Sequence, residues 1–487
     1  MNLVHLVILF LPQMAICRVN DKDEFLSTTF ILQGYFNNLY QSMSSVYEDE
    51  LQKIYGVSLG GWLVTEPWIT PTLYENVQNI YVRPMPVDEY TLTATLGKDI
   101  ALEYLQPHWE DFYSEDDFEE IANLGLNLVR IPIGYWAFGL LEDDPFVQGQ
   151  EEYLDKAIVW ATNHNLKVQV GIHGMPGSQN GFDNSGHSTA TPSWLEVPEN
   201  MELTYEVVNY VLDKYGNHST VHSIQLVNEP MGLILNKEKL MNFYTYCLDQ
   251  VVEKNIQAKL VFHDAFLNIE AWKNFPGEYI LDHHLYEIFS EWQITLSVEQ
   301  HLDTIRRQGE SIERSGQRSI VGEFSGALTD CTKYINGVGK GSRWEGTFES
   351  RQNGSCLGRD DPNHNWFKED VMKFLQEQFY VYEEKGSGWI FWCWKTESTL
   401  DWDMQRLNML EMLPDPLFRF AHMNNEQNFT SLNINIDNNS SREDSQFNVT
   451  EAKTTKTRTK NETTITDIEL SVFEYFLITL LLFFRFW

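Results

Sequence analysis

The chain has 487 residues, of which 43% are hydrophobic, so it can bury a large core as one big domain or two ordinary ones. Its 35 basic residues face 70 acidic ones, which argues against a nucleic-acid partner or an anionic membrane surface, because both require basic patches. Fifteen Trp and 22 Tyr exceed what a core usually needs, and such rings stack well on flat sugar faces. A neutral polymer suits this composition better.

The N-terminus, residues 1–17, is an apolar run of signal-peptide length, and Ala15 and Cys17 are small enough for cleavage before Arg18. The alternative is a buried N-terminal strand or helix. Residues 18–50 are polar and poorly patterned. Seven N-x-[ST] sequons fit a secreted chain, although each alone occurs often by chance: Asn217, Asn353, Asn428, Asn438, Asn439, Asn448 and Asn461.

Eight short segments rich in apolar and β-branched residues predict strands. Between the first two, residues 67–107 show no clear period and predict a long loop bearing a short helix, whereas residues 115–124 predict a helix that Gly125 ends. The predicted strands are Tyr55–Val64, Asn127–Ile133, Lys167–His173, Ser223–Asn228, Lys259–His263, Tyr279–His283, Arg318–Gly322 and Gly388–Trp394.

Stretches with helical spacing lie between most of these strands, at Glu152–His164, Glu202–Tyr215, Lys237–Asn255, Ser297–Ser315 and Asn365–Glu384. Alternating strands and helices predict a parallel sheet, and the count of eight favours a closed (β/α)8 barrel with extended loops at its C-terminal face. The alternative is an open doubly wound sheet, but no Gly-rich phosphate loop follows any strand. We expect the barrel to form one catalytic domain over residues 51–420.

Two of the predicted strands are followed directly by a glutamate. The segment SIQLVNEP (223–230) carries Glu229, and RSIVGEFS (318–325) carries Glu323. A single glutamate after a strand is more often a solvated loop acid or a helix cap. A pair at the catalytic face of a barrel is what glycoside hydrolysis needs, because one acid protonates the leaving oxygen and the other attacks or activates water.

Several long motifs occur in order and resemble those of the fungal exo-β-1,3-glucanases of glycoside hydrolase family 5. They are PVDEY (86–90), RIPIGYWAF (130–138), HGMPGSQNGFDNSG (173–186), NEP (228–230), DHHLYEIFS (282–290), GEFSGALTDC (322–331), RWEGTFES (343–350) and WIFWCWKTE (389–397). The resemblance implies a TIM barrel that hydrolyses β-glucans with retention and uses no cofactor or metal.

The resemblance also implies roles for single residues. Glu229 matches the acid/base, Glu323 the nucleophile, and Asn228 the residue that holds the sugar 2-hydroxyl. Hydrogen-bonding positions around the nucleophile and the bound sugar are matched by His173, His284 and Tyr286. Independently of the resemblance, Arg130 lies in an apolar strand and is expected to pair with a carboxylate. We therefore expect a low pKa for Glu323 and a raised one for Glu229.

Substrate-binding residues follow from the same motifs. Glu66 matches an acid that binds the terminal glucose, and Asp183 and Asn184 lie in the motif of residues 173–186. Aromatic residues that line the pocket and its mouth are matched by Phe182, Phe289 and Trp392. Trp394 shares a predicted strand face with Trp392, so either could stack on sugar, and core packing is the alternative for both.

Cys331 and Cys356 match a loop disulfide of the family. The second disulfide of many relatives has no matching cysteines, so Cys247 and Cys393 are expected to be buried thiols. Phe324 and Leu285 stand where many relatives have Trp and His, which bears on pocket shape and linkage preference.

The C-terminal tail differs in composition from the rest. Residues 421–469 are rich in Asn, Ser and Thr and predict a disordered, glycosylated spacer. Residues 470–487 are apolar and fit the removed part of a glycosylphosphatidylinositol attachment signal, with a small attachment residue between Ser440 and Thr464. The alternative is a short tail anchor in the membrane.

These observations predict a secreted, surface-attached, monomeric enzyme that contacts the membrane only through its tail. Its expected activity is the retaining release of glucose from the non-reducing ends of β-1,3-glucan. An endo-β-glucanase or a glycolipid β-glucosidase of the same fold is the alternative among enzymes. A catalytically inactive wall-binding barrel is the alternative outside that class.

Overall fold

A computed structural model describes residues 53–81, 84–358, 361 and 365–419 of the chain, without the side chains of residues 365 and 366. The predicted signal peptide, the segment 18–50 and the C-terminal spacer and tail lie outside these residues. No helix in the described ranges is both long enough and apolar enough to cross a membrane.

Eight parallel strands close into a barrel, because each pairs with the next along the chain and the last pairs with the first. The predicted (β/α)8 architecture is confirmed. The strands are β1 (Ile54–Ser58), β2 (Leu128–Gly134), β3 (Lys167–Gly174), β4 (Val221–Gln225), β5 (Lys259–His263), β6 (Ile280–His284), β7 (Ser319–Glu323) and β8 (Gly388–Phe391).

Helices surround the barrel and bury their apolar sides against it, which forms the main core. They are α1 (Pro71–Tyr81), α2 (Glu89–Leu96), α3 (Lys98–Asp111), α4 (Glu115–Asn123), α5 (Gln150–Asn163), α6 (Pro198–Tyr215), α7 (Lys237–Lys254), α8 (Glu291–Ile294), α9 (Val298–Glu313), α10 (Asn365–Lys385) and α11 (Met404–Met409).

The prediction of a long loop over residues 67–107 is wrong, since α1, α2 and most of α3 occupy it. Their helical period is hidden in the sequence for a physical reason. Helix α2 buries Glu89 and Thr93 beside its leucines, so its inner face is not apolar, and α3 contains Pro107. Buried polar partners, which only the folded chain supplies, stabilise these helices.

Several strands are shorter than predicted. Strand β1 ends at Ser58, β4 at Gln225 and β8 at Phe391. As a result Asn228, Glu229 and Trp392 lie in the loops after their strands. This is the end of a parallel barrel at which loops converge on one site.

The barrel interior changes from apolar to polar along its axis. A separate cluster of six aliphatic residues, one from each of six strands, consists of Ile54, Leu128, Val261, Ile280, Ile320 and Ile390. Two positions further along β2 and β6 lie Arg130 and Asp282, and four positions further along β1 lies Ser58; all three are fully buried. Because residues two apart on a strand share a face, these polar side chains form the next layer inside the barrel.

A β-bulge between β6 and β7 places Glu323. His283 pairs with Val321, but His284 pairs with Glu323, so Gly322 is an extra residue of β7 that has no counterpart in β6. Such an extra residue turns the following side chain to the other face. The Gly322 N–H donates to Asp282 Oδ1 at 2.8 Å, and a Cβ at Gly322 would lie 2.1 Å from that oxygen. Glycine is therefore required here for close approach.

The cysteines lie as expected. Cys331 and Cys356 form a disulfide that closes a loop after β7, and Cys247 and Cys393 are buried free thiols. Both predictions are confirmed.

Candidate active site

Arg130 lies at the centre of the polar layer, fully buried. Its Nη1 donates to Glu323 Oε1 at 2.7 Å and to Ser58 Oγ at 3.3 Å. Its Nη2 donates to Asn228 Oδ1 at 2.6 Å and to Gln225 Oε1 at 2.7 Å. Only a guanidinium offers enough donors in fixed directions to hold these four side chains together.

His284 lies between the two candidate acids. Its Nδ1 is 2.7 Å from Glu229 Oε1 and 3.3 Å from Glu323 Oε2. Its Nε2 lies 3.3 Å from Asp282 Oδ2. Because Glu229 Oε1 and Glu323 Oε2 lie against the same nitrogen, these two oxygens are at most about 6 Å apart. So close an approach favours a retaining pair, whose carboxyl groups are about 5 Å apart, over an inverting pair at ~6.5–9.5 Å.

Glu229 and Glu323 have further hydrogen-bond donors. The Asn184 Nδ2 donates to Glu229 Oε2 at 2.6 Å, and the Tyr286 hydroxyl donates to Glu323 Oε2 at 2.8 Å. Glu229 itself adopts φ of 46°, in the left-handed region that residues other than glycine rarely adopt. Strain of this kind persists where surrounding contacts hold a side chain in place, as Asn184 and His284 do here.

The order of the two glutamate pKa values is the reverse of our expectation. Burial raises the pKa of Glu229, but the hydrogen bond and charge of His284 outweigh it and lower the pKa to about 2. Burial raises the pKa of Glu323 above its usual value, and the charges of His284 and Arg130 offset only part of this. The sequence reasoning considered Arg130 but not a histidine shared by both acids.

His284 therefore holds the proton of this cluster. Burial lowers its pKa, but the charges of Glu323 and Asp282, together with the hydrogen bonds to Asp282 and Glu229, raise the pKa to about 10. The imidazolium donates along the 2.7 Å bond to Glu229 Oε1, so the proton of the cluster lies beside the carboxylate of the candidate acid.

We expect His284→Ala to move the alkaline limb of the pH–rate profile to lower pH. In the wild type the cluster loses its last proton only as pH rises toward 10, because His284 carries it. In the variant this proton must be held by a buried carboxyl, whose pKa is lower. Profiles of kcat/KM against pH on an activated aryl glycoside measure the shift. His301→Ala, which removes another buried histidine beside a glutamate, is the control. An unmoved limb would contradict the role of His284.

Two residues offer polar atoms that have no protein partner. Both ring nitrogens of His173 and Nδ2 of Asn228 are buried without a hydrogen bond among the described residues. The His173 ring stacks on Trp392 at 5.4 Å between centroids, and Trp392 lies 5.5 Å from the Arg130 guanidinium. Unpaired buried polar atoms are costly, and atoms so placed are suited to bind ligand hydroxyls.

Acidic and aromatic residues surround this cluster. Glu66 is buried and accepts from Trp68 Nε1 at 2.8 Å; burial first, then the charge of Asp183, raises its pKa well above the usual range. Burial raises the pKa of Asp183 to about 6, and no described residue gives its Oδ2 a hydrogen bond. Phe182 and Phe289 are each 44% exposed. Buried oxygens with exposed rings nearby are a combination suited to a sugar.

Trp394 lies apart from these residues. Its indole Nε1 donates to Asp117 of α4 at 3.1 Å, and its ring belongs to the core between barrel and helices. Of the two alternatives, core packing applies to Trp394, and only Trp392 lies beside the site. The strand face that they were expected to share does not exist, since β8 ends at Phe391.

The sequence reasoning missed Gln225 and Asp282. Gln225 accepts from Arg130 and donates from Nε2 to Asp282 Oδ2 at 2.7 Å, so it links the Arg130 cluster to the His284 cluster. Both are polar residues inside apolar strands, and Asp282 is two positions before His284 on the same face. That spacing was a usable signal.

Glu229, His263 and His284 have ligand atoms within 4.8 Å of one another, a separation that a metal ion could bridge. However, carboxylates already lie against both ring nitrogens of His284. We therefore assign Glu229 and His284 to the hydrogen-bonded cluster, whereas His263 accepts from the Ala265 N–H and packs its ring against His284.

The described geometry can be compared with known proteins. Residues 94–398 match the family described as cellulase, glycosyl hydrolase family 5. A glucan 1,3-beta-glucosidase of Pichia angusta is 44% identical over 383 residues, with 75% of this chain and 86% of that protein covered. The glucan 1,3-beta-glucosidase I/II of Saccharomyces cerevisiae is 43% identical over 388 residues, with 75% and 86% covered.

Among solved structures, the rutinosidase from Aspergillus niger aligns with a TM-score of 0.59 at 18% identity, covering 75% of this chain and 99% of that chain. At this identity the likeness concerns the fold alone, and it agrees with the closed barrel.

Proposed function

We propose that this chain, which belongs to the cellulase family (glycosyl hydrolase family 5), releases glucose from the non-reducing ends of β-1,3-glucan with retention of configuration. The chain is a glycosidase, by its family and its curated relatives. The observation that carries the retaining mechanism is the contact of Glu229 and Glu323 with one nitrogen of His284. Retaining enzymes hold their carboxyl groups about 5 Å apart, with no room for a water molecule between the nucleophilic carboxylate and the sugar.

The proposed reaction has two steps. Glu323 attacks the anomeric carbon while Glu229 gives a proton to the leaving oxygen, which yields a glycosyl ester and a shortened glucan. Water then attacks the ester and gives its proton to Glu229, which releases glucose and restores both acids. Arg130 and Tyr286 hold Glu323 in place, and His284 supplies the proton to Glu229.

Recognition of the sugar falls to the residues around the acids. Asn228, oriented by Arg130, has a free Nδ2 for the 2-hydroxyl. Glu66, Asp183 and His173 offer buried polar atoms for the other hydroxyls, while Trp392 gives an apolar face.

The test is product analysis. The purified wild type, incubated with laminarin, should release glucose alone, and NMR should show β-glucose before mutarotation. A ladder of oligosaccharides would assign an endo-glucanase, first-formed α-glucose would exclude retention, and lack of turnover would leave a binding protein.

We propose that the enzyme is secreted and held at the cell surface through its C-terminal tail. A disulfide is typical of oxidising compartments, and the sequon residues Asn217 and Asn353 are exposed.

We expect a chain that ends at residue 420 to be secreted, soluble and fully active, because every proposed site residue precedes the tail. A phosphatidylinositol-specific phospholipase should release active enzyme, without residues near Trp487, from the membranes of cells that express the whole chain. Resistance to the phospholipase with Trp487 retained would indicate a membrane tail instead, and lost activity on truncation would indicate that the tail packs on the barrel.

A further inference from the structure

Three consecutive residues, Asp88, Glu89 and Tyr90, lie at the start of α2, outside the catalytic cluster. They belong to the motif PVDEY, to which the proposed mechanism assigns no part. Asp88 and Glu89 are both fully buried. Buried carboxylates are costly unless well bonded, so their partners indicate what they hold.

Glu89 links the loop after β1 to Trp136, which lies against the loop after β3. Its Oε2 accepts from the Thr65 N–H at 2.8 Å and from the Thr65 hydroxyl at 3.1 Å, directly before Glu66. Its Oε1 accepts from Trp136 Nε1 at 2.9 Å. The Trp136 ring lies so close to Gly174 and Gly186 that a Cβ there would meet it at 2.7 and 2.3 Å. Trp136 therefore supports both ends of the segment between these glycines.

Asp88 and Tyr90 hold the same loop from its other side. Asp88 Oδ2 accepts from the Ser188 N–H at 2.6 Å. The Tyr90 N–H donates to the Gly186 carbonyl at 2.9 Å, and the Tyr90 ring stacks on His187 at 3.9 Å between centroids. These contacts lie within five residues of Asp183 and Asn184.

We propose that Asp88 and Glu89 are positioning residues that hold Glu66 and the segment of residues 182–185 at the spacing that recognises the terminal sugar. Glu66 and Asp183 lie on different loops, yet both must reach hydroxyls of one ring. Asn184, on the second loop, also donates to Glu229. A shift between the loops therefore weakens sugar recognition and misaligns the acid. This inference rests on the proposed glucosidase function and names residues that set its specificity.

The test is Glu89→Gln, which keeps size but places an amide N–H against a donor at Thr65 or Trp136. Wild type and variant are compared on 4-nitrophenyl β-glucoside and on analogues that lack the 4-hydroxyl or the 6-hydroxyl. We expect the wild type to lose roughly 100-fold or more in kcat/KM when a bound hydroxyl is removed, because a site built for a hydroxyl rejects its absence strongly. In the variant, kcat/KM on the glucoside should fall roughly 30-fold. The ratio of kcat/KM on the glucoside to that on a deoxy analogue should fall below about 10-fold, because the contacts of the two loops with the sugar are coupled and their losses are not additive.

Asp144→Asn is the matched control. Asp144 is also a buried carboxylate with one hydroxyl donor, Tyr135, and one backbone donor, Leu141, but among the described residues it makes no hydrogen bond to either loop. Its variant should discriminate like the wild type. Asp88→Asn, read by the same measurements, provides a second variant if Glu89→Gln does not fold.

Any of three results would overturn the positioning role. The first is a folded Glu89→Gln enzyme that discriminates against the deoxy analogues as strongly as the wild type. The others are an equal loss of discrimination in Asp144→Asn, and unfolding of both Asp88→Asn and Glu89→Gln. A wild type without glucosidase activity would instead refute the proposed function, and this inference with it.

Discussion

Glu323→Gln is expected to lower kcat by about 10⁵-fold, the order of loss when a covalent nucleophile is removed. The amide is nearly isosteric, so it still accepts from the Tyr286 hydroxyl or from Arg130, but it cannot form the glycosyl ester. Steady-state rates on an aryl glucoside measure the loss, and circular dichroism with a thermal melt shows whether the fold is kept.

Chemical rescue separates the nucleophile from a structural acid. In Glu323→Ala, azide can enter the space of the lost carboxylate and attack the sugar, so the product should be α-glucosyl azide. The control is Glu383→Gln, another buried glutamate, which accepts from the Tyr55 hydroxyl at 2.9 Å. It should cost stability but not kcat. Unfolding of Glu323→Gln, or azide rescue giving the β-product, would contradict the assignment.

Glu229→Ala is expected to show a loss that depends on the leaving group. With a poor leaving group, which needs a proton to depart, kcat should fall about 10³-fold, within the usual range for general acid catalysis. With 2,4-dinitrophenyl β-glucoside, the first step needs no proton and should be nearly unaffected. Azide should then attack the ester from the side of the lost carboxyl and give β-glucosyl azide.

The comparison across leaving groups is the measurement that decides the role of Glu229. Equal losses of kcat/KM, which reports the first step, on both substrates would mean that Glu229 positions the sugar and does not protonate it. Asn184→Ala provides a matched comparison, because it removes the 2.6 Å bond to Glu229 but leaves the carboxyl. It should show the same dependence on leaving group with a smaller loss.

The sequence alone was sufficient to predict the architecture, and it indicated the two candidate acids. Eight strand segments alternate with helical ones, and this pattern is local, so it does not depend on where the strands meet. Glu229 and Glu323 each come just after a short, largely apolar run. The long motifs then indicated the family and the residues around the acids.

The positions of the charges were decided by the tertiary structure. Period-two alternation from Ile320 would place Glu323 outside the barrel, and only the bulge at Gly322, pressed against Asp282, turns it inward. The pKa order likewise depends on His284, which is 55 residues from Glu229 in the chain but 2.7 Å away in space. A pKa is set by burial and by charges within a few ångströms, and neither can be read from local sequence.

The same reason explains the helices missed between residues 67 and 107. Asp88 and Glu89 look like exposed helix-start acids in the sequence, since carboxylates are rarely buried. In the structure both are buried because Ser188, Thr65 and Trp136 supply donors from other loops. The local pattern of apolar and polar residues thus determines which elements form. The hydrogen-bond partners of a buried polar group come together only when distant segments pack, because each segment must satisfy the hydrogen bonds of the other.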